Sequence, residues 1–482
     1  MDWYIIAAIS IAALLAAFIT YVTVRAIMFK PHPVKAGSPE PVKVNTEKAV
    51  GDLAEMVRCK TVSHKDPALD DEGEFEKFEA LLPRLFPALH KTCDFEKIGN
   101  RALLYRWRGK SDKSPTVLMA HYDVVSVVPE NWERDPFGGE IVDGVLWGRG
   151  TLDTKGTLNG ALQAAEQLIS EGFTPKNDIY FAFGGDEEIN GHGASDIVAL
   201  FISRGITPGM VVDEGGAVIE GVFPGVKKPC ALIGISEKGM INIEYSVTGG
   251  GGHASSPAPH TPIGKLSRAC VRMEKNPFRF RLNAASRAMF DTLGRHSTFL
   301  YRVIFANINL FSPVLSLITK KSGGEFNAIV RTTTAFTQME GSKGINVIPP
   351  YARMASNHRI LAGESTESVL ATVKKTVNDP DVQVRMLEGS EPSVVSRVDC
   401  EAWERIALAT HETWQDAIVS PYPMVACSDS RHWGVISDKV YRFSAMALSG
   451  EERGTIHGNN ERVPAETVGK TVEFYIRLIK QC

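Results

Sequence analysis

The sequence lacks both an excess of basic residues and a cysteine pattern of the kind that binds zinc. Its 482 residues carry 53 Lys and Arg against 56 Asp and Glu, a net charge of −3. A general nucleic-acid binder needs a basic face for phosphates, so that class is excluded. The seven cysteines contain no CxxC pair, which excludes a zinc ribbon and a thioredoxin motif. Their odd number leaves at least one thiol unpaired or bonded to another chain, and their scatter excludes a scaffold held by disulfides.

The composition is that of a folded protein with more than one domain. Apolar residues make up 44% and charged residues 23% of the chain, values that exclude a disordered protein. At roughly 100–200 residues per domain, the length predicts two or three domains. The sequence contains no internal repeat. Its one biased segment is the proline-containing stretch 31–44, which we interpret as an extended linker.

Residues 3–24 are predicted to cross a membrane. They contain no charge over 22 residues, and about 20 residues span a bilayer core as a helix. Trp3, Tyr4 and Tyr21 lie near the ends, where aromatic side chains favour the lipid interface. A cleaved signal peptide would begin with a basic segment, whereas only Asp2 is charged there, and no small-residue cleavage site follows. We therefore expect an uncleaved single-pass membrane anchor; a signal peptide and a buried helix of a soluble protein are the alternatives.

Three charges are the basis for predicting which side of the membrane holds the rest of the chain. Arg25, Lys30 and Lys35 all follow the apolar segment. Positive charges are enriched on the cytoplasmic side, so they favour a cytoplasmic position without deciding it.

After the linker the chain alternates between helical and β-rich segments. Apolar runs such as TVLMAHYDVV and DIYFAFGG alternate with amphipathic LNGALQAAEQLISEG, which predicts an α/β domain with a mostly parallel sheet. Later the order becomes strand–helix–strand–strand–helix–strand, typical of a small ferredoxin-like α+β domain. We expect the larger domain over 45–240 and 390–482, with the smaller domain inserted over 241–389. Within the insertion, the apolar stretch 289–320 is either core helix or a hydrophobic wall that faces a substrate.

Several apolar runs end in histidine or carboxylate residues. Side chains two apart on an extended segment project to one face, so Asp123 can orient the His121 ring for a metal. Further candidates of this kind are Asp153 in a glycine-rich stretch, Glu187 and Glu188 in GGDEEING, Asp213 in VVDEGG, and His457 in a polar loop before the last helix. Taken alone, each has an ordinary alternative: a core or surface histidine, a helix N-cap, or a solvated acidic turn.

Together these residues favour a site for two metal ions. Two histidines and several carboxylates at the carboxyl ends of strands supply nitrogen and oxygen ligands without thiolates. One shared carboxylate can bridge two ions about 3.5–4 Å apart, and a further carboxylate can act as general base. We expect two zinc ions, although one ion, or cobalt or manganese, also fits such ligands. A membrane-tethered binding or scaffold protein with a relic site is the alternative outside enzymes.

The candidate residues resemble the co-catalytic zinc hydrolase family of carboxypeptidase S, aminoacylase, acetylornithine deacetylase and glutamate carboxypeptidase, over about 45–482. The resemblance implies that Asp153 bridges the two ions. It also implies that His121 and Asp213 hold the first ion, that Glu188 and His457 hold the second, and that Glu187 is the general base beside Asp123. Family members carry a cis peptide bond after the bridging aspartate, which is Asp153–Thr154 in this chain.

The resemblance also implies substrate-binding residues. The inserted domain matches the family's lid and dimerisation domain, where His253 would stabilise an oxyanion, often in the partner subunit's site; a turn histidine is the alternative. Asn346 and Arg359 would hold the carboxylate of the substrate, to which a guanidinium can bond bidentately. The loop CSDSRHW retains Arg431, whereas its first two residues depart from the family pattern.

Within the family, one branch is nearest. The runs KKPCALIGISEKG, NAIVRTTTA and INVIPP resemble the N-fatty-acyl-amino-acid synthase/hydrolases, with carboxypeptidase S beside them. We therefore predict a membrane-anchored, homodimeric dizinc amidohydrolase that cleaves N-acyl amino acids reversibly, with Phe290, Phe299 and Leu310 in an acyl-chain wall. A carboxypeptidase or dipeptidase that acts on peptides is the alternative.

Overall fold

The computed structural model of the chain describes residues 3–32 and 39–482, so the predicted linker lies partly outside the described residues, at 33–38. The helices are α1 (Trp3–Met28), α2 (Thr46–Val57), α3 (Glu72–Leu85), α4 (Pro87–Thr92), α5 (Lys155–Ser170), α6 (Gly193–Ser203), α7 (Pro262–Lys275), α8 (Ala284–His296), α9 (Phe299–Ala306), α10 (Ile308–Ser322), α11 (Gly324–Ala328), α12 (Thr366–Val377), α13 (Glu401–Thr413), α14 (Gly450–Arg453) and α15 (Ala465–Lys480). The strands are β1 (Asp94–Ile98), β2 (Ala102–Trp107), β3 (Ser111–His121), β4 (Glu140–Val142), β5 (Val145–Trp147), β6 (Asn177–Gly184), β7 (Met210–Ile219), β8 (Cys230–Glu237), β9 (Gly239–Thr248), β10 (Gly252–His253), β11 (Thr333–Glu340), β12 (Val347–Ile348), β13 (Tyr351–Ile360), β14 (Gln383–Ser390), β15 (Ile418–Met424), β16 (Val440–Ala447) and β17 (Arg462–Pro464).

The larger sheet has eight strands in the order β1-β2-β6-β3-β7-β16-β8-β15. Its central strands β6, β3, β7 and β16 are parallel, whereas β1 and β2 at one edge, and the β16–β8 pair, are antiparallel. The α/β class is thus confirmed, but the sheet is mixed rather than mostly parallel. At the β1 edge the reason is connection length, because β1 and β2 pair from Ile98 and Ala102 onward and so short a turn can only join antiparallel strands.

Helices cover both faces of this sheet. α5 and α15 belong to the large apolar core on one face, and α6 packs on the other face, where Phe201 contacts the ring of Trp433. Because both faces are covered, the strands are apolar almost throughout, and every residue of β8 is buried. The parallel strands β3, β6 and β7 end at the same edge, which brings the histidine and carboxylate clusters of the sequence together.

A second sheet has its own core. Its four strands lie in the order β11-β13-β9-β14, all antiparallel, and α7 and α12 pack on it through Leu266, Met273 and Val373. Along the chain the elements run β9, α7, β11, β13, α12, β14, which is the predicted strand–helix–strand–strand–helix–strand order. The domain boundaries at 240/241 and 389/390 stay predictions.

The apolar stretch 289–320 divides between core and surface. Met289, Phe290 and Leu293 of α8 are buried in the larger core, as the core-helix interpretation predicts. Phe299 of α9 and Leu310 of α10 are half-exposed on the outside of the protein.

Within the described residues, α1 is the one single helix long and apolar enough to span a membrane, a property that a signal sequence near the N-terminus shares. Its last turns contact the rest of the protein, since Val22 and Ala26 are buried. α9 and α10 together meet the same criterion of length and composition, but they are bent by 108° relative to each other.

Candidate active site

The carboxylate of Asp153 lies between two imidazole rings. Its Oδ1 is 3.0 Å from His121 Nε2 and its Oδ2 is 3.0 Å from His457 Nε2. The same His457 nitrogen is 3.1 Å from Oε2 of Glu188. The Asp153–Thr154 peptide bond is cis, as the resemblance implies. One carboxylate oxygen therefore faces each histidine, the arrangement that a residue bridging two cations requires.

A buried glutamate connects the two loops that carry Asp153 and His457. Oε1 of Glu461 accepts hydrogen bonds from the backbone N–H groups of Gly150 and Leu152, at 3.1 and 2.8 Å. Its Oε2 accepts a hydrogen bond from Arg149 Nη1 at 2.6 Å, and Arg149 Nη2 donates to the carbonyl of Gly458 at 2.7 Å. These bonds fix the loop before α5 against the loop before β17, so the distance between the two halves of the site is set by buried charge-assisted hydrogen bonds.

Asp123 organises the other side of the site. Its carboxylate is fully buried and accepts hydrogen bonds from the Ser63 hydroxyl at 2.7 Å and from the N–H groups of Glu187 and Glu188 at 3.2 and 3.1 Å. His121 Nδ1 lies 2.9 Å from the Asp123 carbonyl oxygen and 3.4 Å from its Oδ1. These contacts hold the His121 ring so that Nε2 faces Asp153.

Glu214 belongs to the site, and sequence reasoning did not find it. Its Oε1 lies 3.6 Å from His121 Nε2, whereas the predicted ligand Asp213 is buried and accepts a hydrogen bond from the backbone N–H of Ser430 at 2.9 Å. Glu214 rather than Asp213 faces His121 because β7 contains a bulge, at which the pairing with β16 jumps from Asp213 to Gly216. A bulge re-aims a side chain, and the glycines of VVDEGG are the only trace of it in the sequence.

The candidate ligand atoms form two overlapping groups. Those of His121, Asp153 and Glu188 lie within 4.8 Å of one another, and so do those of His121, Glu187 and Glu214. A set of this kind, with two imidazoles and clustered carboxylates, fits divalent cations that accept nitrogen and oxygen ligands.

The electrostatics of the cluster show how strongly it favours positive charge. Burial alone would raise the pKa of Asp153, but the hydrogen bonds of both histidines lower it well below its usual range. The same bonds, to Asp153 and Glu188, raise the pKa of His457 to about 10. Burial and the neighbouring Asp153 charge raise the pKa of Glu214 to about 8, and burial raises that of Glu187 well above its usual value. Bound cations would offset the electrostatic repulsion between these closely spaced carboxylates.

A cavity of about 660 Å³ opens beside the cluster. Asp153, Glu187, Glu188, Glu214 and His457 line one part of it. The basic residues Lys238, Arg359 and Arg453 line another part, and much of the rest is apolar, with Ile219, Leu232, Tyr422, Met424, Val425, Leu448 and Ile456. The cavity can therefore receive a molecule that carries an anionic group and an apolar group next to the metal ligands.

Lys238 and Arg359 place two basic side chains in this cavity. Arg359 is the penultimate residue of β13, and its Nη1 lies 3.5 Å from the sulfur of Cys427. Lys238 Nζ donates to the carbonyls of Ala328 and Arg331, each at 2.9 Å. Burial and the Arg359 charge lower the Lys238 pKa to about 7. The sequence signal for Lys238 is a lysine directly after CALIGISE, a strand that is apolar except for its last two residues.

The predicted oxyanion-stabilising residue His253 and two predicted substrate-binding residues, Asn346 and Arg431, do not line the described cavity. His253 and Asn346 are exposed at the tip formed by β10 and β12, where the N–H of Ala254 bonds to the Asn346 carbonyl. Arg431 lies near Asp429, with 3.9 Å between Nη2 and Oδ1.

The residues predicted to form an acyl-chain wall do not line this cavity either. Phe290 is packed against Phe305 in the core, and Phe299 and Leu310 face outward. The apolar lining comes instead from β7, β8 and β15 and from the loops that follow β15, follow β16 and precede His457. Hydrophobicity marked 289–320 correctly as apolar, but it did not show which direction those side chains face.

Comparison with known proteins agrees with this geometry. The family described as peptidase family M20/M25/M40 matches residues 117–481. The chain is 37% identical to a probable carboxypeptidase S-like protein 2 of Dictyostelium discoideum and 38% identical to an N-fatty-acyl-amino acid synthase/hydrolase of Xenopus tropicalis, in each case over 89% of this chain and 84% of the relative.

The solved structures give the same fold. An M20 family metallo-carboxypeptidase of Sulfolobus solfataricus superposes with a TM-score of 0.65 at 16% identity, covering 90% of this chain and 98% of that one. With the sequence match over most of its length, the chain belongs to peptidase family M20/M25/M40 and is a metal-dependent hydrolase of amide bonds.

Proposed function

We propose that the protein is a membrane-anchored dizinc amidohydrolase that cleaves N-acyl amino acids reversibly, with N-fatty-acyl amino acids as its substrates. The observation that carries this proposal is the cavity, which joins the metal-ligand cluster to basic residues on one side and to an apolar wall on the other. An N-acyl amino acid has the matching parts: an amide, a free carboxylate and an acyl chain.

The apolar wall extends beyond the site itself. A second cavity of about 690 Å³ shares Ile219, Leu448 and Arg453 with the first. Its further lining includes Val218 and the Trp414 indole. A long acyl chain could continue into this space, whereas a short peptide has no use for it.

The ligand geometry supports one assignment of the two ions. Asp153 would bridge them, with His121 and Glu214 on one ion and Glu188 and His457 on the other. Bound zinc would polarise the scissile carbonyl and lower the pKa of the attacking water.

Glu187 is the group we assign to proton transfer. It lies half-buried in the cavity wall next to the candidate ligands, and burial raises its pKa well above the usual value, so its carboxylate is a stronger base than that of an exposed glutamate. In the proposed reaction its carboxylate accepts a proton from the attacking water and gives it to the leaving amine. Arg359 would hold the carboxylate of the amino acid, with Lys238 as a second cation.

His253 and Asn346 would act on a partner subunit. Both lie at one exposed tip of the smaller sheet, outside the cavity of their own chain. In a homodimer this tip could reach the other subunit's site, where an imidazole can stabilise the oxyanion of the tetrahedral state. This part of the proposal makes the smaller domain the lid and dimerisation domain.

A carboxypeptidase that acts on peptides is the second candidate, because the carboxypeptidase S-like relative is as similar as the fatty-acyl one. Both candidates use the same ligands and the same basic residues. They differ in what occupies the apolar wall.

The test is a matched panel of substrates with the full chain in detergent and zinc: N-oleoyl-, N-acetyl- and N-glycyl-phenylalanine, read by mass spectrometry. We expect the oleoyl compound to be cleaved best. Val425→Asn, in the apolar wall, should lower kcat/KM for the oleoyl compound about tenfold and barely affect the acetyl compound. Leu310→Asn, outside the cavity, is the control and should change neither. Preference for the glycyl compound would assign the protein to the carboxypeptidase function.

A further inference from the structure

Helices α9 and α10 present an apolar surface outward. We define it as the α9–α10 outer face: Phe299, Leu300, Tyr301, Leu310, Val314, Leu317 and Ile318, each between 41% and 74% exposed. The four residues on α10 are spaced by four, three and one, so they lie on one side of that helix. Leu315, between them in sequence, and Thr319, directly after Ile318, are buried on the opposite side. α10 therefore turns apolar side chains to both the protein and the outside.

A contiguous apolar face of this kind is unusual for water-exposed protein. Soluble monomers rarely expose large apolar patches, and those that occur mark contact with another surface. The two helices together are as long and as apolar as a membrane span, but the bend of 108° between them prevents a straight crossing. A bent pair of this composition is suited to lie within one leaflet rather than to cross the bilayer.

Residues next to the α9–α10 outer face contact the end of α1. Asn307, between α9 and α10, donates from Nδ2 to the Val22 carbonyl at 3.1 Å. Arg295 lies 4.3 Å from the centre of the Phe29 ring and donates to the Lys30 carbonyl at 3.0 Å. The last turns of α1 are thus fixed to the helices that carry the exposed apolar face.

The position of this contact along α1 sets its depth. Val22 follows Trp3 by 19 residues, which is about 28 Å along a helix. The hydrocarbon core of a bilayer is roughly 30 Å thick. If α1 begins at one interface, α9 and α10 therefore meet it at the level of the other.

Basic side chains lie at the end of α10 and near the end of α1. Lys320 and Lys321, at the end of α10, are exposed and begin two residues after Ile318. Arg25 lies one turn after Tyr21 on α1 and donates a hydrogen bond to its hydroxyl. Lysine and arginine next to apolar residues favour the headgroup region, where they meet lipid phosphates and anionic lipids.

We propose that the α9–α10 outer face inserts into the leaflet next to the end of α1, so that the catalytic body lies on the bilayer and contacts lipid at a second place. The inference rests on the proposed role of α1 as a membrane anchor. The body would then have one fixed orientation on the membrane instead of moving freely on a linker.

The experiment places an environment-sensitive fluorescent amino acid at single positions of the full chain. The protein is reconstituted into vesicles of phosphatidylcholine and phosphatidylserine, with or without lipids that carry a nitroxide quencher on the acyl chain. The test positions are Leu300 and Leu317. Leu14 of α1 is the reference within the membrane, and the exposed Leu69 and Ile202 are the references in water.

We expect quenching at Leu300 and Leu317 of the same order as at Leu14, and none at Leu69 or Ile202. Quenching at Leu14 alone would overturn the inference and leave the anchor in place. Quenching at Leu300 and Leu317 without Leu14 would support lipid contact and reject the anchor. Quenching at none of the three would reject both, and energy transfer between copies at the test positions would assign the face to a second copy of this chain.

A charge variant strengthens the test without disturbing the core, because both changed residues are exposed. Leu310→Glu combined with Val314→Glu should reduce quenching at Leu317 at least about threefold, since a carboxylate is costly in hydrocarbon. Leu69→Glu, the matched change elsewhere on the surface, should leave it unchanged. Equal quenching in all three proteins would overturn the insertion.

Discussion

Glu187 is half-buried in the cavity wall near His121 and Glu214, and burial raises the pKa of its carboxyl well above the usual value of a glutamate. In the assignment proposed above, it is also the residue of the acidic cluster that does not serve as a metal ligand, although its carboxylate lies within 4.8 Å of the ligand atoms of His121 and Glu214. Loss of this carboxylate should therefore affect chemistry more than metal binding.

Glu187→Gln, and likewise Glu187→Ala, should keep both metal ions and lower kcat by about 10²–10⁴-fold. Metal content by mass spectrometry and turnover on the preferred substrate check this together. Asp153→Ala is the contrast, because loss of the bridging carboxylate should remove metal as well as activity. An active Glu187→Gln enzyme would exclude this residue as the base.

The neighbouring residues Asp213 and Glu214 allow a matched comparison. Glu214→Gln should lose one of two metal ions, because its carboxylate faces His121. Asp213→Asn should retain both ions, since its carboxylate accepts from the Ser430 N–H and an amide oxygen can do the same. Metal content per chain after dialysis against zinc decides between them, and the reverse result would restore Asp213 as the ligand.

At the scale of single residues, the sequence predicted the candidate site residues that directly follow strands. His121 and Glu188 could be predicted together because His121 ends β3 and Glu188 follows β6, two parallel strands that end at one edge of the sheet. Asp153 and His457, by contrast, lie in loops and were indicated by their motifs and by the family resemblance. Glu214 could not be predicted, since a bulge changes the side-chain direction and the binary pattern of a strand does not show bulges. Lys238 was missed because a single lysine is ordinarily solvated.

Among the elements, β13 carries a histidine that should make the smaller sheet sensitive to acid. His358 is fully buried, with Nε2 2.8 Å from the Ser356 hydroxyl oxygen and Nδ1 3.0 Å from that of Thr334. Burial lowers its pKa from 6.5 to about 4. Between these values the unfolded chain binds more protons than the folded one, so stability is full above pH 6.5 and falls as the pH drops towards 4.

The loss should be about 3 kcal/mol over that range for this one group. Denaturant unfolding of the full chain at a series of pH values measures it. His358→Gln should have a shallower pH dependence than the native protein, whereas His260→Gln, at an exposed position, should keep the native slope. Identical slopes in all three proteins would show that His358 does not titrate on unfolding.

The elements also show what composition could and could not predict. The order of strands and helices in the smaller sheet followed from the change in periodicity near residue 241. The sequence did not show which way the side chains of 289–320 face, because residues of the same apolar types form a buried face on α8 and an outward face on α10.

For the whole molecule, the proposed exchange of His253 between subunits makes a complementation test possible. Glu187→Gln and His253→Ala chains should each be nearly inactive alone. Randomly paired in one cell, half of the dimers combine the two, and one site in each regains a base and a partner histidine. Activity should then return to about a quarter of the native level. Activity that stays at the level of the separate variants would argue that each chain supplies its own site.

The arrangement of subunits and the contact with lipid lie beyond sequence patterning for a common reason. Both depend on which surfaces of the folded protein stay exposed, and exposure is decided by packing between segments far apart in the chain.

The ligands themselves come from such distant segments, from His121 to His457. Glu461 then closes the structure by joining the loop after His457 to the loop before Asp153. During synthesis, at roughly 5–20 residues per second, the nascent chain would expose all of its proposed acidic ligands well before His457, the last proposed ligand, emerges. A ribosome that stalls between these points would release a protein with a complete first half-site and no means of closing the second, so metal loading is expected to be a late step of its biogenesis.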